Sequence, residues 1–430
     1  MATPRQVALA LLLVLAGLGL RYAVWEVTHP IRSAGDAASG FRWGRTARQE
    51  GLVALYDRLE RETRRNPGRK YEGMDYMPGR LAVMAAWAGW AEWQYPGTDR
   101  RRDAYFFNLP PLSVNALAEL VAAFLVAGLV RQAGGTPRMA LLSGALAWFH
   151  PTALVLGHGR PQWDTWLLPF FLGAGLLALR GRWLSSGLLV ALGTMFKAQI
   201  LFAAPVLPLV ALVERRFRGA ALWVAGFVGG MLACLSPWVL HGSLAPVRVA
   251  LVGGANKWPT FPPPYVRNLC TLTSDAFGWN ASTRLLGFVP AEALFAAAGL
   301  ATVLGAAFLA ARLRGIERVL ALVMPWFGFY LLMPRVHLRY VVWPAVLVSV
   351  VAAFGRGYLA AWAVLAAVST TSLLGPLVGQ PKSPFPRLAS LTEMVSPAEV
   401  WLILACAAYF LAKMLTRLED APAGRASSRT

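Results

Sequence analysis

The chain has 430 residues, of which 57% are hydrophobic and only 14% are charged, and its mean hydropathy is +0.50. Soluble domains carry about 25% charged residues, so these values exclude a single soluble globule. The hydrophobic fraction also excludes a disordered chain. The composition instead predicts an all-α polytopic membrane protein, since a lipid-embedded chain must pair its backbone polar groups internally.

The net charge is +20, from 41 Lys and Arg against 21 Asp and Glu. The basic residues lie between the apolar runs rather than on one domain, which favours a role in membrane topology over binding to nucleic acid. Phosphate binding is the other use of these cations that the pattern leaves open. The three cysteines are far apart and form no CxxC pair, so neither a disulfide framework nor a zinc site is predicted.

The first apolar run covers residues 7–20. No clear cleavage site follows it, so we predict an uncleaved first span with a cytoplasmic N-terminus. A long polar stretch, residues 21–111, comes next. Within it, residues 81–93 are half apolar but too short to cross a bilayer, and we predict an interfacial or re-entrant helix there.

Eleven further apolar runs follow, which makes about twelve predicted transmembrane helices in all. Their cores are residues 112–130, 139–156, 165–179, 184–195, 200–213, 220–240, 291–311, 319–333, 340–354, 359–378 and 400–415. A second polar loop, residues 241–290, separates the first six of these runs from the last five.

Alternating these spans from a cytoplasmic N-terminus places short loops on the cytoplasmic side, and every one of them is basic, as is the tail 416–430. This agreement with the positive-inside rule predicts that both termini are cytoplasmic. The loops 21–111 and 241–290 then face outward. From Arg21 to Asp103 the first outer loop holds 15 basic and 11 acidic residues, which suggests a surface that attracts anions.

Unusual polar groups collect at the predicted outer ends of the spans and in the first outer loop. The candidate residues are Asp36, Trp43, Asp75, Tyr76, His158, Arg160, Gln162, Asp164, Lys197, Gln199, Arg335, His337, Arg339 and Tyr340. Five short groups contain them, and a chain with twelve spans can bring these groups to one site at the outer interface.

Several of these residues have ordinary structural interpretations. Asp36 and Asp164 suit helix starts, and Asp75 suits a turn before Pro78. Arginines such as Arg339 commonly snorkel at span ends. Lys197 is different, because it is closely flanked by apolar residues on both sides, where a cation needs a partner or a wet cavity.

The residue types favour chemistry on a lipid-borne phosphate. Cations at an apolar–aqueous boundary suit a phosphate headgroup, and a carboxylate beside them suits a general base. The sequence has no GxxxxGK[ST], GxSxG or HExxH motif, which argues against a cytosolic nucleotide-fed active site.

The order of these groups resembles the GT-C glycosyltransferases, most closely the dolichyl-phosphate-glucose glucosyltransferases of lipid-linked oligosaccharide assembly and similar prokaryotic enzymes. The matching elements are Gly35-Asp36, Trp43, Tyr56-Asp57, Asp75-Tyr76-x-Pro78, Gln162-x-Asp164, Phe196-Lys197-x-Gln199 and His337-x-Arg339-Tyr340. The resemblance implies a GT-C-like membrane catalytic module over residues 1–354. Residues 355–415 would then be additional C-terminal helices.

The resemblance also implies roles for particular residues. Asp36 matches the presumed catalytic base of the family. A donor-phosphate site matches Lys197, Gln199, Arg335, His337 and Arg339. The remaining substrate-binding candidates are Trp43, Asp75, Tyr76, His158, Arg160, Gln162, Asp164 and Tyr340.

Four positions depart from the family pattern and leave the sugar and the acceptor open. Met77 stands where a first Pro is usual, and Leu338 replaces a common Glu. Asp164 replaces an Asn of the eukaryotic members and is closer to a prokaryotic form. Gly157 stands where those members have a second Asp, so any role of that acid is lost or moved.

The resemblance implies transfer of a hexose from a polyprenyl-phosphate donor to a hydroxyl of a lipid-linked or cell-surface glycan, with inversion. No cofactor is expected, although a divalent cation held by the aspartates stays open. The prokaryote-like features favour a bacterial plasma membrane, with the active site on the extracytoplasmic face. The partners are then membrane lipids and these two substrates, and nucleic acid is not among them.

Two other classes remain open. One is a transporter or flippase for a lipid-linked or anionic substrate, which would place charged residues within spans. Among the predicted spans, only Lys197 comes near such a position. The other is a non-catalytic membrane subunit or a transferase of a different lipid headgroup.

Overall fold

A computed structural model describes residues 4–29, 35–65, 74, 76–97, 105–253, 266–280, 282–285, 287–379 and 385–420. These residues are almost entirely helical. In this part of the chain, β-structure is limited to one antiparallel pair, Arg284–Leu285 with Val289–Pro290. The predicted all-α fold class is therefore confirmed at this level.

Within the described residues, eight helical segments are long and apolar enough to cross a membrane, which indicates a multi-pass membrane protein. They are Ala8–Thr28, Leu109–Gln132, Pro137–Gly159, Phe217–Val239, Ala291–Arg312, Gly315–Leu332, Arg356–Val378 and Arg387–Glu419. Four shorter apolar segments coincide with the other predicted spans. They are Asp164–Leu179, Trp183–Phe196, Ile200–Val213 and Leu338–Phe354. The total of about twelve spans stays a prediction.

The first helix, α1, covers Pro4–Thr28 and is longer than the predicted run 7–20. Arg21 marked the end of that run, yet the helix continues past it because Arg21 is paired inside the bundle. Its guanidinium binds the Glu119 carboxylate at 2.7 Å and also donates to the backbone oxygens of Gly17 and Trp148 at 2.9 Å. A paired arginine can lie within a span that an unpaired one would end.

Three helices of the first outer loop form a second, smaller core. They are α2 (Gly35–Glu50), α3 (Leu52–Arg65) and α4 (Pro78–Gln94), and α4 coincides with the predicted interfacial helix 81–93. Helices α2 and α4 approach closely at Gly44, where a Cβ would lie 2.1 Å from the Met84 backbone oxygen. The same core includes Trp163 and Met195 of the bundle. The small core therefore packs directly against the helix ends that carry the candidate residues.

The bundle has one large apolar core. It includes Phe171, Trp326 and Trp343, and residues of the last two helical segments, such as Leu365 and Phe410, belong to it too. Helices Trp183–Phe196 and Phe217–Val239 approach backbone to backbone through Gly187 and Gly226. The remaining described helical segments are Leu109–Gln132 (α5), Pro137–Trp148, Pro151–Leu154, Val155–Gly159, Asp164–Leu167, Leu168–Leu179, Ile200–Ala203, Val206–Val213, Ala245–Val247, Arg248–Gly253, Leu269–Phe277, Ala291–Arg312, Gly315–Leu332, Leu338–Val341, Val342–Leu347, Val348–Val350, Ala352–Phe354, Arg356–Val378, Pro386–Val395, Ser396–Ala398 and Glu399–Glu419.

Candidate functional site

A buried ion pair joins two of the candidate residues. Lys197 follows the helix Trp183–Phe196, which ends because Lys197 takes an extended backbone conformation. Its ammonium binds Oδ1 of Asp164, and the two side chains are only 4% and 0% exposed. Asp164 begins the short helix Asp164–Leu167, and its backbone oxygen accepts a 2.8 Å hydrogen bond from the Trp343 indole. The partner that Lys197 required on sequence grounds is therefore Asp164.

Arg339 connects this pair to the first outer loop. Its Nη1 binds Oδ2 of Asp36 and also donates to Oε1 of Gln162 at 2.7 Å. Its Nε lies 3.5 Å from Oδ2 of Asp164. Asp36, Asp164, Lys197 and Arg339 thus form one group, called here the charge cluster. It joins residues that are up to 303 positions apart in the sequence.

The electrostatics of the cluster favour an ionised Asp36. Burial acts to raise the pKa of its carboxyl, but the charge of Arg339 and a hydrogen bond with Gln162 outweigh that effect and bring the pKa well below its usual range. Asp36 also lies in the first turn of α2, where the helix dipole favours an anion. Its side chain is 36% exposed, so a substrate hydroxyl can reach it.

His337 and Arg160 lie near the same charges. Burial and the charge of Arg339 lower the pKa of His337 to about 3, so its imidazole is neutral at physiological pH. Burial lowers the pKa of Arg160, an effect that the nearby Asp36 opposes. A neutral His337 can donate or accept a hydrogen bond near a phosphate, but it contributes no positive charge there.

Aromatic rings lie beside the cations. The ring of Tyr340 stacks on that of Trp343 with centroids 4.6 Å apart, and the Lys197 ammonium lies 4.8 Å from the Tyr340 centroid. The Gln199 amide donates to the Tyr340 hydroxyl at 3.4 Å. These contacts place Gln199 and Tyr340 next to the charge cluster.

The structure adds Arg80, which the sequence analysis did not select. Its guanidinium carbon lies 3.4 Å from the centroid of the Tyr76 ring and 5.3 Å from that of Trp163. Trp43 packs edge-on against the same Tyr76 ring at 5.3 Å. The sequence signal that could have identified Arg80 is its position as a charged residue at the N-terminal edge of the half-apolar run 81–93.

Three other candidates lie elsewhere or outside the described residues. Arg335 binds Glu292, with Nε 2.6 Å from Oε1. His158 points to Glu119, with Nε2 3.3 Å from Oε2. Asp75 lies outside the described residues, so its predicted role stays a prediction.

Glu119 is a second residue that the sequence analysis missed. It lies within the span Leu109–Gln132, where it contacts both Arg21 and His158, and its side chain is 1% exposed. The expectation that only Lys197 carries a charge near the middle of a span is therefore wrong. A Cβ at Gly157 would lie 2.5 Å from Oε1 of Glu119, so this carboxylate occupies the space that a side chain at position 157 would enter.

The described residues include no group of three His, Cys, Asp or Glu side chains placed to hold a metal ion. Asp36 and Asp164 are both bound to cations of the protein instead. Metal use stays an open prediction.

A cavity of about 640 Å³ lies beside Leu338, a neighbour of Arg339 in the sequence. Its wall includes Leu338, which lies between His337 and Arg339, and also Thr371 and Glu399. The wall mixes apolar and polar side chains.

No protein-family profile matches the chain, and no curated protein matches it.

Proposed function

We propose that the protein is a membrane glycosyltransferase that moves a hexose from a polyprenyl-phosphate donor to a hydroxyl of a lipid-linked or cell-surface glycan. One observation carries the proposal: the partly exposed carboxylate of Asp36 binds Arg339, and Arg339 also approaches the buried pair of Asp164 and Lys197. A base and a phosphate-binding group are thus adjacent, and this reaction requires both.

In the proposed reaction, the donor phosphate lies near Lys197 and Arg339. The acceptor oxygen attacks the anomeric carbon, and its proton passes to the Asp36 carboxylate. The bond between the anomeric carbon and the phosphate oxygen breaks, and its electron pair leaves with polyprenyl phosphate. Direct displacement inverts the anomeric centre, whereas retention would need a second carboxylate as a nucleophile. The cations replace a general acid, because a neutralised phosphate is a good leaving group.

The ion pair between Asp36 and Arg339 implies that the donor binds before Asp36 deprotonates the acceptor. A carboxylate bound to a guanidinium is a weak base, as the low pKa of Asp36 reflects. A bound phosphate would compete for Arg339 and weaken that pair. Donor binding would then raise the basicity of Asp36 at the moment when an acceptor can be deprotonated.

The test is sugar transfer in membranes that contain wild-type protein or Asp36→Asn, supplied with a panel of labelled polyprenyl-phosphate sugars. Glu62→Gln is the control, because Glu62 is a partly exposed acid of the same loop that pairs with Arg58 at 2.8 Å and belongs to none of the matching elements. We expect transfer by wild type and the control only. Equal transfer by all three would remove Asp36 from the chemistry, and a retained anomeric configuration would contradict direct displacement.

We also propose a bacterial plasma membrane location, with cytoplasmic termini and the charge cluster on the extracytoplasmic face. The basic short loops support this orientation. A C-terminal fusion to a fluorescent protein that matures only in the cytoplasm should fluoresce, and a C-terminal periplasmic phosphatase fusion should be inactive. The reverse pattern would invert the topology.

A transporter or flippase for an anionic or lipid-linked substrate is the second candidate. The observation that favours it is the buried group of Arg21, Glu119 and His158 within the spans, since such charges often mark translocation pathways. A carrier would move labelled lipid from one leaflet to the other in the bilayer of reconstituted vesicles, without forming a new glycosidic bond. Mass analysis of the lipid product separates the two functions.

A further inference from the structure

Arg80 is a buried cation for which no described residue acts as a hydrogen-bond acceptor. The residue is 1% exposed, and Nε, Nη1 and Nη2 are all buried and unpaired. The face of the Tyr76 ring lies 3.4 Å from the guanidinium carbon and covers one side of the plane. Burying a guanidinium without an anion is costly, so its edge is suited to a ligand that supplies oxygen acceptors.

Arg80 lies close enough to the charge cluster to affect its charged groups. Gly79 packs so closely against the end of helix Trp183–Phe196 that a Cβ would lie 2.8 Å from that of Met195, two residues before Lys197. The charge of Arg80 contributes to the low pKa of Asp36, against the opposing effect of burial. Arg80 also interacts electrostatically with Lys197. Its neighbours are therefore the groups of the proposed reaction.

The described charges of this region do not balance. Four cations, Arg80, Arg160, Lys197 and Arg339, face two acids, Asp36 and Asp164. The excess of two positive charges suits a phosphate monoester, which carries nearly two negative charges at neutral pH. In the proposed transfer, the donor phosphodiester has one negative charge and the departing phosphate gains a second.

We propose that Arg80 binds a phosphate group through two of its guanidinium nitrogens and stabilises the charge that develops on that phosphate. The role of Arg80 in the reaction rests on the proposed function. Phosphate binding by Arg80 can be tested separately, without measuring sugar transfer. The planar guanidinium matches two phosphate oxygens at once, and stacking on Tyr76 fixes its orientation. A lysine at this position would keep the charge but lose both features.

The binding test uses the purified full-length protein in detergent, with farnesyl phosphate as the probe and farnesol and inorganic phosphate as comparisons. Wild type, Arg80→Met and Arg80→Lys are compared with Arg45→Gln. Arg45 is an exposed arginine of the same loop that pairs with Glu92, which makes it a matched control. Thermal unfolding followed by intrinsic fluorescence gives the apparent Kd of each probe.

We expect farnesyl phosphate to stabilise wild type and Arg45→Gln, with an apparent Kd at least about tenfold weaker for Arg80→Met and an intermediate value for Arg80→Lys. Without a probe, Arg80→Met should unfold at no lower temperature than wild type, because it removes an unpaired buried charge. Arg80-dependent stabilisation by inorganic phosphate as strong as that by farnesyl phosphate would assign free phosphate as the ligand. Equal effects of farnesol and farnesyl phosphate, or equal Kd values in wild type and Arg80→Met, would overturn the site.

The two proposals fail separately. If no donor supports transfer but Arg80-dependent phosphate binding is found, the glycosyltransferase proposal fails and the phosphate site stands. If transfer is found, Arg80→Lys should lower kcat more than it raises KM, since the second charge develops only as the bond breaks. A change confined to KM would show that Arg80 binds donor and transition state equally.

Discussion

Asp36 and Arg339 meet although 303 residues separate them, and their contact sets the pH response of the site. Because Arg339 and Gln162 outweigh the effect of burial, the lowered pKa keeps Asp36 ionised in mildly acidic solution. We expect no loss of transfer from protonation of Asp36 between about pH 7.5 and about pH 5.5. A pH profile of the wild-type kcat/KM, which reports the protein before the donor binds, measures this, and a one-proton fall centred in that range would contradict it.

His337 should make the folded state sensitive to acid. Its ordinary pKa is 6.5 and burial lowers the folded value to about 3. Between these values the unfolded chain binds a proton that the folded chain does not, so stability falls as pH drops from 6.5 toward 3. Asp36, with its lowered pKa, adds to the loss as pH falls below the usual range of a carboxyl.

The measurement for His337 is the unfolding temperature of wild type and His337→Gln at neutral and mildly acidic pH. We expect a larger decrease on acidification for wild type, because the variant has no imidazole to charge. His241 is exposed and makes a suitable control position, so His241→Gln should behave as wild type. Equal decreases in wild type and His337→Gln would refute the burial of a neutral imidazole at this position.

Removing one partner of the ion pair between Lys197 and Asp164 should destabilise the fold more than the pair itself stabilises it. Removing one partner leaves a buried charge uncompensated, and we expect Asp164→Asn or Lys197→Met to cost about 3–5 kcal/mol of unfolding free energy. The double variant Lys197→Met with Asp164→Leu should cost less than the sum of the two single changes. Denaturant unfolding in mixed micelles measures the cycle, and strict additivity would argue against the pair.

Sequence reasoning recognised Lys197 because its apolar neighbours made an unpaired cation implausible. The same reasoning applies to Glu119, because it lies inside the apolar run 112–130 and therefore also needs a partner. Arg80 was harder to recognise, because it lies at the edge of a half-apolar helix where arginine is commonplace. Its burial depends on Gly79 and on contacts between distant segments, which spacing alone does not reveal.

At the scale of helices, the apolar runs predicted the segments well because each run is bounded by charge, Pro or Gly. The predicted run 291–311 corresponds to Ala291–Arg312, and the run 359–378 lies within Arg356–Val378. The contacts between helices could not be predicted in this way. Gly44, Gly187 and Gly226 permit backbone approaches that depend on which faces meet.

Helix Phe217–Val239 offers a direct test of such an approach. A Cβ at Gly226 would lie 2.1 Å from the Leu184 backbone oxygen, whereas one at Gly229 would meet nothing within 4 Å. We expect Gly226→Ala to lower stability by roughly 1–3 kcal/mol through overpacking. Gly229→Ala, the matched control, should be neutral or stabilising by up to about 1 kcal/mol, because alanine favours helix. Equal unfolding temperatures for the two variants would contradict the close approach.

At the scale of the molecule, the last helices are part of the main core. Leu365, Ile403 and Phe410 belong to the same apolar cluster as Trp326 and Trp343. A chain that ends after residue 354 would leave this face of the bundle uncovered. We expect it to yield no monodisperse protein in detergent, whereas a chain that ends after Asp420 should behave as wild type. A well-behaved short chain with bound farnesyl phosphate would show that the preceding helices fold alone.

The small core of α2, α3 and α4 explains how a long polar segment reaches the charge cluster. Trp163 and Met195 lie in that core, so the loop is packed against the turns that carry Asp164 and Lys197. The polar groups at the predicted ends of the spans indicate a convergence of this kind. Which residues meet, and that Arg335 and His158 turn toward other partners, depends on side-chain packing that the order of motifs does not encode.

The position of Glu119 against Gly157 has an evolutionary consequence. The space next to position 157 has room for a single carboxylate, and in this chain the carboxylate of Glu119 occupies it. An acid at position 157 would be excluded by space and by charge unless position 119 became small or neutral. Homologous sequences should therefore have an acid at position 119 or at position 157, but not at both. A change in which of the two residues carries the negative charge would then require substitutions at both positions.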